Sequence, residues 1–332
     1  MLLAGLGLPA WSAVIRVPQD YPTIVDAVGW ANPGDEIVIE AGTYDESDMV
    51  HVWAPMTLRA TNGLVTVRCP SSKDAVAEVA PGRFNLGIGS GSQPIVELWN
   101  GGKFRKPATR VREMALFLRK AFAGERVVFE GETFRVDGFR MAKPPSEPIP
   151  IHIAALREGM LRVAGEVGDG AIINWLSAED VKKSVAVVRE AAKAAGRNPD
   201  DVEITARLMV CIDPLTPEVA MLQRRHLNAY LNVPVYKEFH RWLGREPLLS
   251  AMWTAWDSGD RKAALAAVPD VVVQDLFVAG TAEERNAHVQ RYLEAGVDTA
   301  FLQFISFDPD PAVRRERVLQ AMREMSPKAA GM

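Results

Sequence analysis

Two turns in this sequence have the composition of ligand-binding turns. The first, Gly89-Ser90-Gly91-Ser92, follows the apolar stretch Phe84–Ile88. Glycines there allow backbone N–H groups to approach a ligand closely, because they carry no side chain. The second, Leu156-Arg157-Glu158-Gly159, follows the apolar stretch Ile149–Ala155 and opens a helix. A helix N-terminus carries unsatisfied N–H donors and partial positive charge, so this turn suits a phosphate or another anionic group.

Side chains that transfer protons are harder to assign. Four polar residues lie at or near predicted strand ends: Ser92, His152, Asn174 and Arg207. His152 sits inside a strand pattern, which favours a partly buried histidine with satisfied hydrogen bonds over a proton donor near a substrate. The catalytic group therefore stays unassigned, with Ser92 and His152 as the candidates.

The remaining histidines and aromatic residues are interpreted as structural. His226 and His240 fall on helical stretches and are predicted to lie at helix surfaces. One aromatic set is compatible with an apolar substrate pocket or with a core between helices, and its spacing favours the core: Tyr236, Phe239, Trp242, Trp253 and Trp256.

Strands and helices alternate five times after residue 81, and the strands are apolar throughout. This pattern is typical of a parallel sheet covered on both faces, and it predicts a β/α barrel or a doubly wound sheet. Ser177–Asp180 and Thr281–Glu284 predict helix starts. In a barrel the catalytic face lies at the C-terminal ends of the strands, which here are residues 89–93, 154–158, 174–177, 212–214 and 306–308.

Residues 14–69 differ in character from the rest of the chain. Short β-branched runs alternate with turns, and Thr61-Asn62-Gly63 predicts a tight turn between two strands. The phrases VPQDYPTI, NPGDEIVIEAGTY and APMTLRATNG resemble the N-terminal cap and first rungs of pectin-lyase-like right-handed parallel β-helices. Only two or three rungs are present, whereas a solenoid needs about three or more to bury its core. A generic β-rich extension is the alternative.

The chain is therefore divided into three parts: an apolar segment 1–13, a β-helix-like segment 14–72 and a larger domain 73–332. The apolar segment ends like a secretory signal but carries no basic residue, so a cytoplasmic location is favoured over secretion. No apolar run reaches the roughly 18 residues of a membrane span.

Composition argues against several partners. The net charge is -4 and no basic run exceeds two residues, which argues against nucleic acid. Cys69 and Cys211 match no metal-ligand spacing, so no metal is predicted and each is interpreted as a buried thiol.

Three longer phrases resemble the luciferase-like flavin-dependent oxidoreductases, most closely the branch that uses coenzyme F420: APGRFNLGIGSGS, PIPIHIAALREGMLRVAGEVGDGAIINWLS and GVDTAFLQFISFDPDP. The resemblance covers residues 75–332. It implies a TIM barrel, a coenzyme across the C-terminal face, and hydride transfer between the deazaflavin and a small organic substrate. FMN is the alternative cofactor, and a homodimer is expected.

The same resemblance implies which residues hold the coenzyme. The ring system is expected beside Gly89, Ser90, Gly91 and Ser92. The phosphate and side chain are expected beside Ala154, Ala155, Leu156, Arg157, Glu158 and Gly159, with Gly168, Gly170 and Ala171 completing the pocket.

Two features depart from the family pattern. A complete member has about three β/α units before the equivalent of Phe84, so we expect a barrel without its first three units, preceded by the β-helix-like segment. Ser92 stands where the sugar-phosphate dehydrogenase branch has a catalytic Glu, which disfavours that branch. The alternatives to an F420-dependent oxidoreductase are a catalytically impaired fusion, an FMN-dependent monooxygenase and a β-helix-type carbohydrate-binding protein.

Overall fold

The computed structural model describes residues 13–32, 35–46, 57–68, 82, 84–99 and 101–327. The chain divides into two compact units. The first comprises residues 1–84, 91–107 and 117–149, and the second comprises residues 85–90, 108–116 and 150–332. Residues 1–12 and Cys69, for which predictions were made, lie outside the described residues.

The strands of the described residues are, in chain order, β1 (Val14–Val17), β2 (Glu36–Asp45), β3 (Thr57–Arg68), β4 (Leu86–Ile88), β5 (Val127–Glu130), β6 (Arg135–Phe139), β7 (Ile151–Ala154), β8 (Gly170–Asn174), β9 (Glu203–Cys211), β10 (Phe277–Val278) and β11 (Thr299–Ile305). The α-helices are α1 (Ile24–Trp30), α2 (Pro107–Phe122), α3 (Glu158–Val167), α4 (Ala178–Ala194), α5 (Pro217–Leu231), α6 (Pro234–Leu243), α7 (Glu246–Asp257), α8 (Arg261–Ala266), α9 (Asp270–Leu276), α10 (Ala282–Glu294) and α11 (Pro311–Glu324). No helix in the described part of the chain is long and apolar enough to cross a membrane.

The first unit begins with a three-stranded parallel sheet in the order β1-β2-β3. Apolar side chains of β1, β2 and α1 form a buried core that includes Val17, Ile24 and Ile37. At the start of α1, the N–H groups of Ile24 and Val25 donate to the buried carboxylate of Glu46 at 2.8 and 3.0 Å. That carboxylate satisfies two of the donors that a helix N-terminus leaves unpaired.

The prediction of a tight turn at Thr61-Asn62-Gly63 is wrong, because β3 is one continuous strand. Glu40 of β2 pairs with Thr61, and Gly42 pairs with Val65. Three residues of β3 therefore lie opposite one residue of β2, and the Asn-Gly pair falls within this irregularity. Glycine favours both bulges and tight turns, so the sequence signal does not distinguish them.

The first unit also contains a small hairpin, formed by the antiparallel strands β5 and β6. Phe117 of α2 packs edge-on against Phe129 and Phe134, with ring centroids 6.3 and 6.0 Å away. Phe129 and Phe134 stack on each other at 5.2 Å. This aromatic contact fixes the hairpin on the C-terminal half of α2.

The second unit is built on a six-stranded sheet whose strands are all parallel. The order is β4-β7-β8-β9, and β9 also pairs with β10 and β11. Helices α3 and α4 connect β7 to β8 and β8 to β9, and α10 connects β10 to β11. The predicted α/β class and parallel sheet are confirmed. Within the described residues, the strand order does not return from β11 to β4.

The two faces of this sheet differ in exposure. Along β9, Ile204, Ala206 and Leu208 are buried, whereas Thr205 and Arg207 alternate with them and are half-buried. Residues paired in register lie on the same face of a sheet. We call the Arg207 side the open face, and its residues include Gly87, Gly89, His152, Ala154, Gly170, Ile172, Asn174, Glu203, Thr205, Arg207, Phe301 and Gln303.

Helices α5 to α9 cover the open face at the C-terminal ends of β8 and β9. Met209, Cys211 and Trp175 join a buried core with side chains from these helices, among them Leu249 and Trp253. Phe239 is also buried, and Tyr236 and Trp256 pack against the core. The interpretation of the aromatic set as helix packing is confirmed for four of its members: Tyr236, Phe239, Trp253 and Trp256. Cys211 is buried as predicted.

The prediction that His240 lies at a helix surface is wrong, because its side chain is fully buried. Helix α6 packs against α5, and Lys183 of α4 donates to the carbonyl of Trp242, so more than one side of α6 is covered. Burial, together with the nearby Arg245 guanidinium, lowers the pKa of His240 to about 3. The imidazole is therefore neutral at physiological pH.

Candidate cofactor site

At the C-terminal ends of β4 and β7 the open face is exposed. Gly89 follows β4, and a Cβ added there would lie 3.1 Å from the Cβ of Ala154. A Cβ at Gly87 would lie 3.2 Å from Cδ1 of Ile172. Gly87, Gly89 and Ala154 are exposed. Because side chains are missing at both glycines, a flat ring can approach the backbone here.

Helix α3 begins at the same edge of the sheet. Its N-cap residue, Arg157, makes no side-chain capping hydrogen bond. Arg157, Glu158 and Gly159 are exposed, and a Cβ at Gly159 would meet no atom within 4 Å. The carboxylate of Glu158 is paired with Arg162, one turn along the helix, at 2.7 Å. An uncapped and exposed helix N-terminus is an arrangement that binds phosphate and other anions.

The residues that join β7 to α3 change from buried to exposed within a few positions. Ala155 is buried and its N–H donates to the carbonyl of Ile172 at 2.9 Å, while Leu156 is half-buried. The structure therefore brings six predicted residues together at one edge: Ala154, Ala155, Leu156, Arg157, Glu158 and Gly159.

The glycine-rich turn after β4 is shared between the two units. Gly89 and Ser90 belong to the second unit, and Gly91 and Ser92 belong to the first. Gly91 has a φ of 64°, a left-handed conformation that favours glycine. The carbonyl of Ser92 accepts a hydrogen bond from the N–H of Val96 at 2.9 Å, at the start of a π-helical turn.

Three predicted cofactor residues lie at the opposite end of the sheet. Gly168 follows α3, and Gly170 and Ala171 begin β8, roughly 13 and 10 Å before its C-terminal end at Asn174. A Cβ at Gly170 would lie 2.5 Å from Nδ1 of the His152 ring. Close packing explains this glycine, and we leave these three residues out of the candidate site.

His152 lies at this N-terminal end as well. Its side chain is buried, and its Nε2 lies 3.6 Å from the carboxylate of Glu203. The other oxygen of that carboxylate accepts a hydrogen bond from Oγ1 of Thr299 at 2.5 Å. This placement favours a structural role for His152 over proton transfer at the C-terminal edge.

A second group of polar side chains lies on and beside the open face, at the C-terminal end of β8 and the middle of β9. Asn174 pairs with Arg207 in register. Four buried polar atoms of this group have no hydrogen-bond partner among the described residues: Oδ1 of Asn174, Nε of Arg207, Nε2 of His226 and Oε1 of Gln303. Buried polar groups are usually paired, so such a concentration of unpaired atoms marks a place where a ligand can bind.

Aromatic side chains border this polar group. Trp175 has a φ of 57°, which is rare for a bulky residue, and its buried ring stacks on Tyr230 at 4.6 Å and on His226 at 5.8 Å. The ring of Tyr236 meets Trp175 edge-on at 5.9 Å. The prediction of His226 at a helix surface is therefore corrected. Burial first, and then the Arg207 charge, lower the pKa of His226, which keeps the ring neutral.

Sequence reasoning missed Trp175 and misplaced His226. An aromatic residue directly after the buried strand ending at Asn174 was a usable signal, since that position belongs to the predicted catalytic face. His226 had no such signal, because α5 is covered only when the later helices fold over it.

The sequence profile of the luciferase-like monooxygenase family matches residues 75–299. The chain belongs to this family. A 5,10-methylenetetrahydromethanopterin reductase from Methanolobus tindarius is 29% identical over 232 residues, covering 68% of this chain and 69% of its own length. An F420-dependent glucose-6-phosphate dehydrogenase from Mycolicibacterium fortuitum is 34% identical over 152 residues, covering 44% of this chain. The chain spans 45% of that dehydrogenase.

Two solved structures share the fold of this luciferase-like chain. A coenzyme F420-dependent tetrahydromethanopterin reductase from Methanopyrus kandleri has a TM-score of 0.56 at 19% identity, covering 93% of this chain and 97% of its own. An F420-dependent secondary alcohol dehydrogenase, in complex with an F420-acetone adduct, has a TM-score of 0.55 at 16% identity, covering 95% and 98%. The predicted family is confirmed, and proteins named as F420-dependent oxidoreductases are among those that the chain resembles.

Proposed function

We propose that this chain is an F420-dependent oxidoreductase that transfers hydride between the deazaflavin and a small organic substrate. The observation that carries the proposal is the uncapped N-terminus of α3, which lies exposed at the C-terminal edge of a luciferase-like parallel sheet. The relatives named as F420-dependent enzymes support the choice of cofactor. FMN is the alternative cofactor.

The residues at this edge fit such a coenzyme. The backbone N–H groups at Glu158 and Gly159 would hold its phosphate, and Arg157 adds a positive charge beside them. Gly87 and Gly89 are exposed and carry no side chain, so a planar ring could approach the backbone there. Ser90, Gly91 and Ser92 are proposed to line the ring as well. When bound, the deazaflavin supplies the hydride chemistry, and the protein orients the reacting groups and excludes water.

Substitution of Gly159 tests the phosphate position. Because a Cβ there meets no atom within 4 Å, Gly159→Ala should fold normally and bind F420 like the unmodified protein. Gly159→Asp adds a carboxylate that is compatible with the first turn of a helix but competes with a phosphate for the same N–H groups. We expect at least about tenfold weaker F420 binding, equivalent to about 1.4 kcal/mol.

Fluorescence titration with F420 measures this difference, and thermal melting checks that both variants fold. Equal F420 affinities for Gly159→Asp and Gly159→Ala would show that the phosphate does not lie at α3. Failure of the unmodified protein to bind either F420 or FMN would instead favour the catalytically impaired alternative.

We propose four further features of the whole chain. The sheet of the second unit corresponds to the later strands of a TIM barrel, and domain 73–332 contains it. Segment 14–72 is the start of a right-handed β-helix, which the parallel order β1-β2-β3 supports. The protein is a homodimer, which light scattering of the purified protein would test. It is cytoplasmic, which fractionation of cells would test.

A further inference from the structure

Arg207 carries a charge that no described carboxylate neutralises. It is half-buried on β9 and its Nε is buried, and within the described residues its guanidinium forms no ion pair or hydrogen bond. Removing a guanidinium from water is costly unless an anion faces it. Other buried arginines of the same unit have such partners, as Arg245 has in Asp180 and Asp275 at 2.7 and 2.9 Å.

The polar side chains beside Arg207 on the sheet are uncharged. Asn174 lies opposite it on β8, and Gln303 lies two residues beyond its partner Phe301 on β11. Rotation of either amide exchanges its oxygen for an N–H₂ donor, so both can donate to an anion. His226 is kept neutral, so it adds no second charge. The site therefore has one positive charge surrounded by several hydrogen-bonding groups.

Aromatic rings form the border of the same site. Trp175 stacks on Tyr230 and on His226, and Tyr236 contacts both Trp175 and Tyr230 edge-on at 5.9 and 6.0 Å. The guanidinium acts on this border, because its charge opposes the rise in the pKa of Tyr236 that burial causes. Aromatic surfaces of this kind pack well against a planar apolar body.

We propose that Arg207, Asn174 and Gln303 bind the carboxylate of a small organic substrate whose planar body packs against the rings of Tyr230 and Tyr236, the accessible members of this border. The inference rests on the proposed function, because it assigns the substrate class of the same C-terminal edge. A planar guanidinium matches a carboxylate with two parallel hydrogen bonds and one compensating charge. A phosphate dianion would leave a negative charge unpaired among neutral groups.

Benzoate and its uncharged analogue benzamide are suitable probes, because they have the same planar shape and differ in charge. Isothermal titration calorimetry of the full chain, with and without F420, should show saturable benzoate binding and at least tenfold weaker benzamide binding. Arg207→Gln should reduce benzoate affinity to that of benzamide. The matched control Arg225→Gln makes the same change at an exposed position of α5 and should bind benzoate normally.

Equal affinity of the unmodified protein for benzoate and benzamide would overturn the inference. Displacement of benzoate by inorganic phosphate would also overturn it, if the phosphate concentration required is lower than the concentration at which benzoate binds. If Arg207→Gln does not fold, Asn174→Asp tests the same point, because the new carboxylate would form an ion pair with the Arg207 guanidinium. Benzoate selectivity that survives in a folded Asn174→Asp protein contradicts the proposal. F420 binding without benzoate selectivity rejects only the subsite, whereas benzoate selectivity without F420 binding rejects only the proposed function.

Discussion

At the scale of the residue, burial decides the chemistry of His240. The ring is enclosed by α6 and its neighbours, and desolvation with the Arg245 charge lowers its pKa to about 3. The unfolded chain therefore takes up a proton near pH 6.5 while the folded protein does not. As the pH falls from roughly 6.5 to 3, the free energy of unfolding should decrease by about 1.4 kcal/mol per pH unit. The stability that the neutral ring allows is fully present above about pH 6.5.

His240→Leu removes this titration and keeps an apolar side chain of similar size. Urea unfolding at pH 7 and pH 5 should show that the unmodified protein loses about 2 kcal/mol more than His240→Leu. The other ionisable groups are the same in both proteins, so the difference between the two pH dependences isolates the contribution of His240. An identical pH dependence for the two would mean that His240 is protonated in the folded state.

At the scale of the element, Asp213 joins the ends of β9 and β11 to α11. Its buried carboxylate accepts hydrogen bonds from Oγ of Ser306 at 2.6 Å, from the N–H of Phe307 and from Arg317. Burial raises the pKa of Asp213, but these three donors outweigh that effect and hold it below its usual value. Asp213→Asn should lower the free energy of unfolding by about 2 kcal/mol, because charged hydrogen bonds to Ser306 and Arg317 are lost.

Asp310→Asn is the matched control. Asp310 is the exposed N-cap of α11, and its carboxylate accepts from the N–H of Ala312 at 2.8 Å. Asparagine caps helices about as well as aspartate, so a change within about 0.5 kcal/mol is expected. Comparable losses in the two variants, measured by chemical denaturation, would show that Asp213 does not join these elements.

The elements that were predictable are those with local signals. The capping boxes at Ser177 and Thr281 mark the observed starts of α4 and α10. Strand β10 has only two residues and gave no periodic signal. The direct pairing of β9 with β11, the left-handed Trp175 and the buried His240 depend on contacts between distant segments, which local sequence patterns do not encode.

At the scale of the whole molecule, the candidate site depends on a sheet that is helix-covered on one face and partly open on the other. The sequence correctly placed Gly89 and Ala154–Gly159 at strand ends, because alternation of strands and helices fixes where each strand stops. It assigned Gly168, Gly170 and Ala171 to the same site by resemblance alone, and the sheet places them at its other end. The open face, with Arg207 on it, emerges only once β8, β9 and β11 are aligned in register.

Equilibrium titration of the purified full chain with F420 tests the central claim most directly, with FMN titrated in parallel. We expect saturable F420 binding, followed by fluorescence, and a melting temperature that rises with F420 concentration, because a ligand that binds only the folded state stabilises it. Tighter binding of FMN than of F420, or no saturable binding of either, would contradict the account.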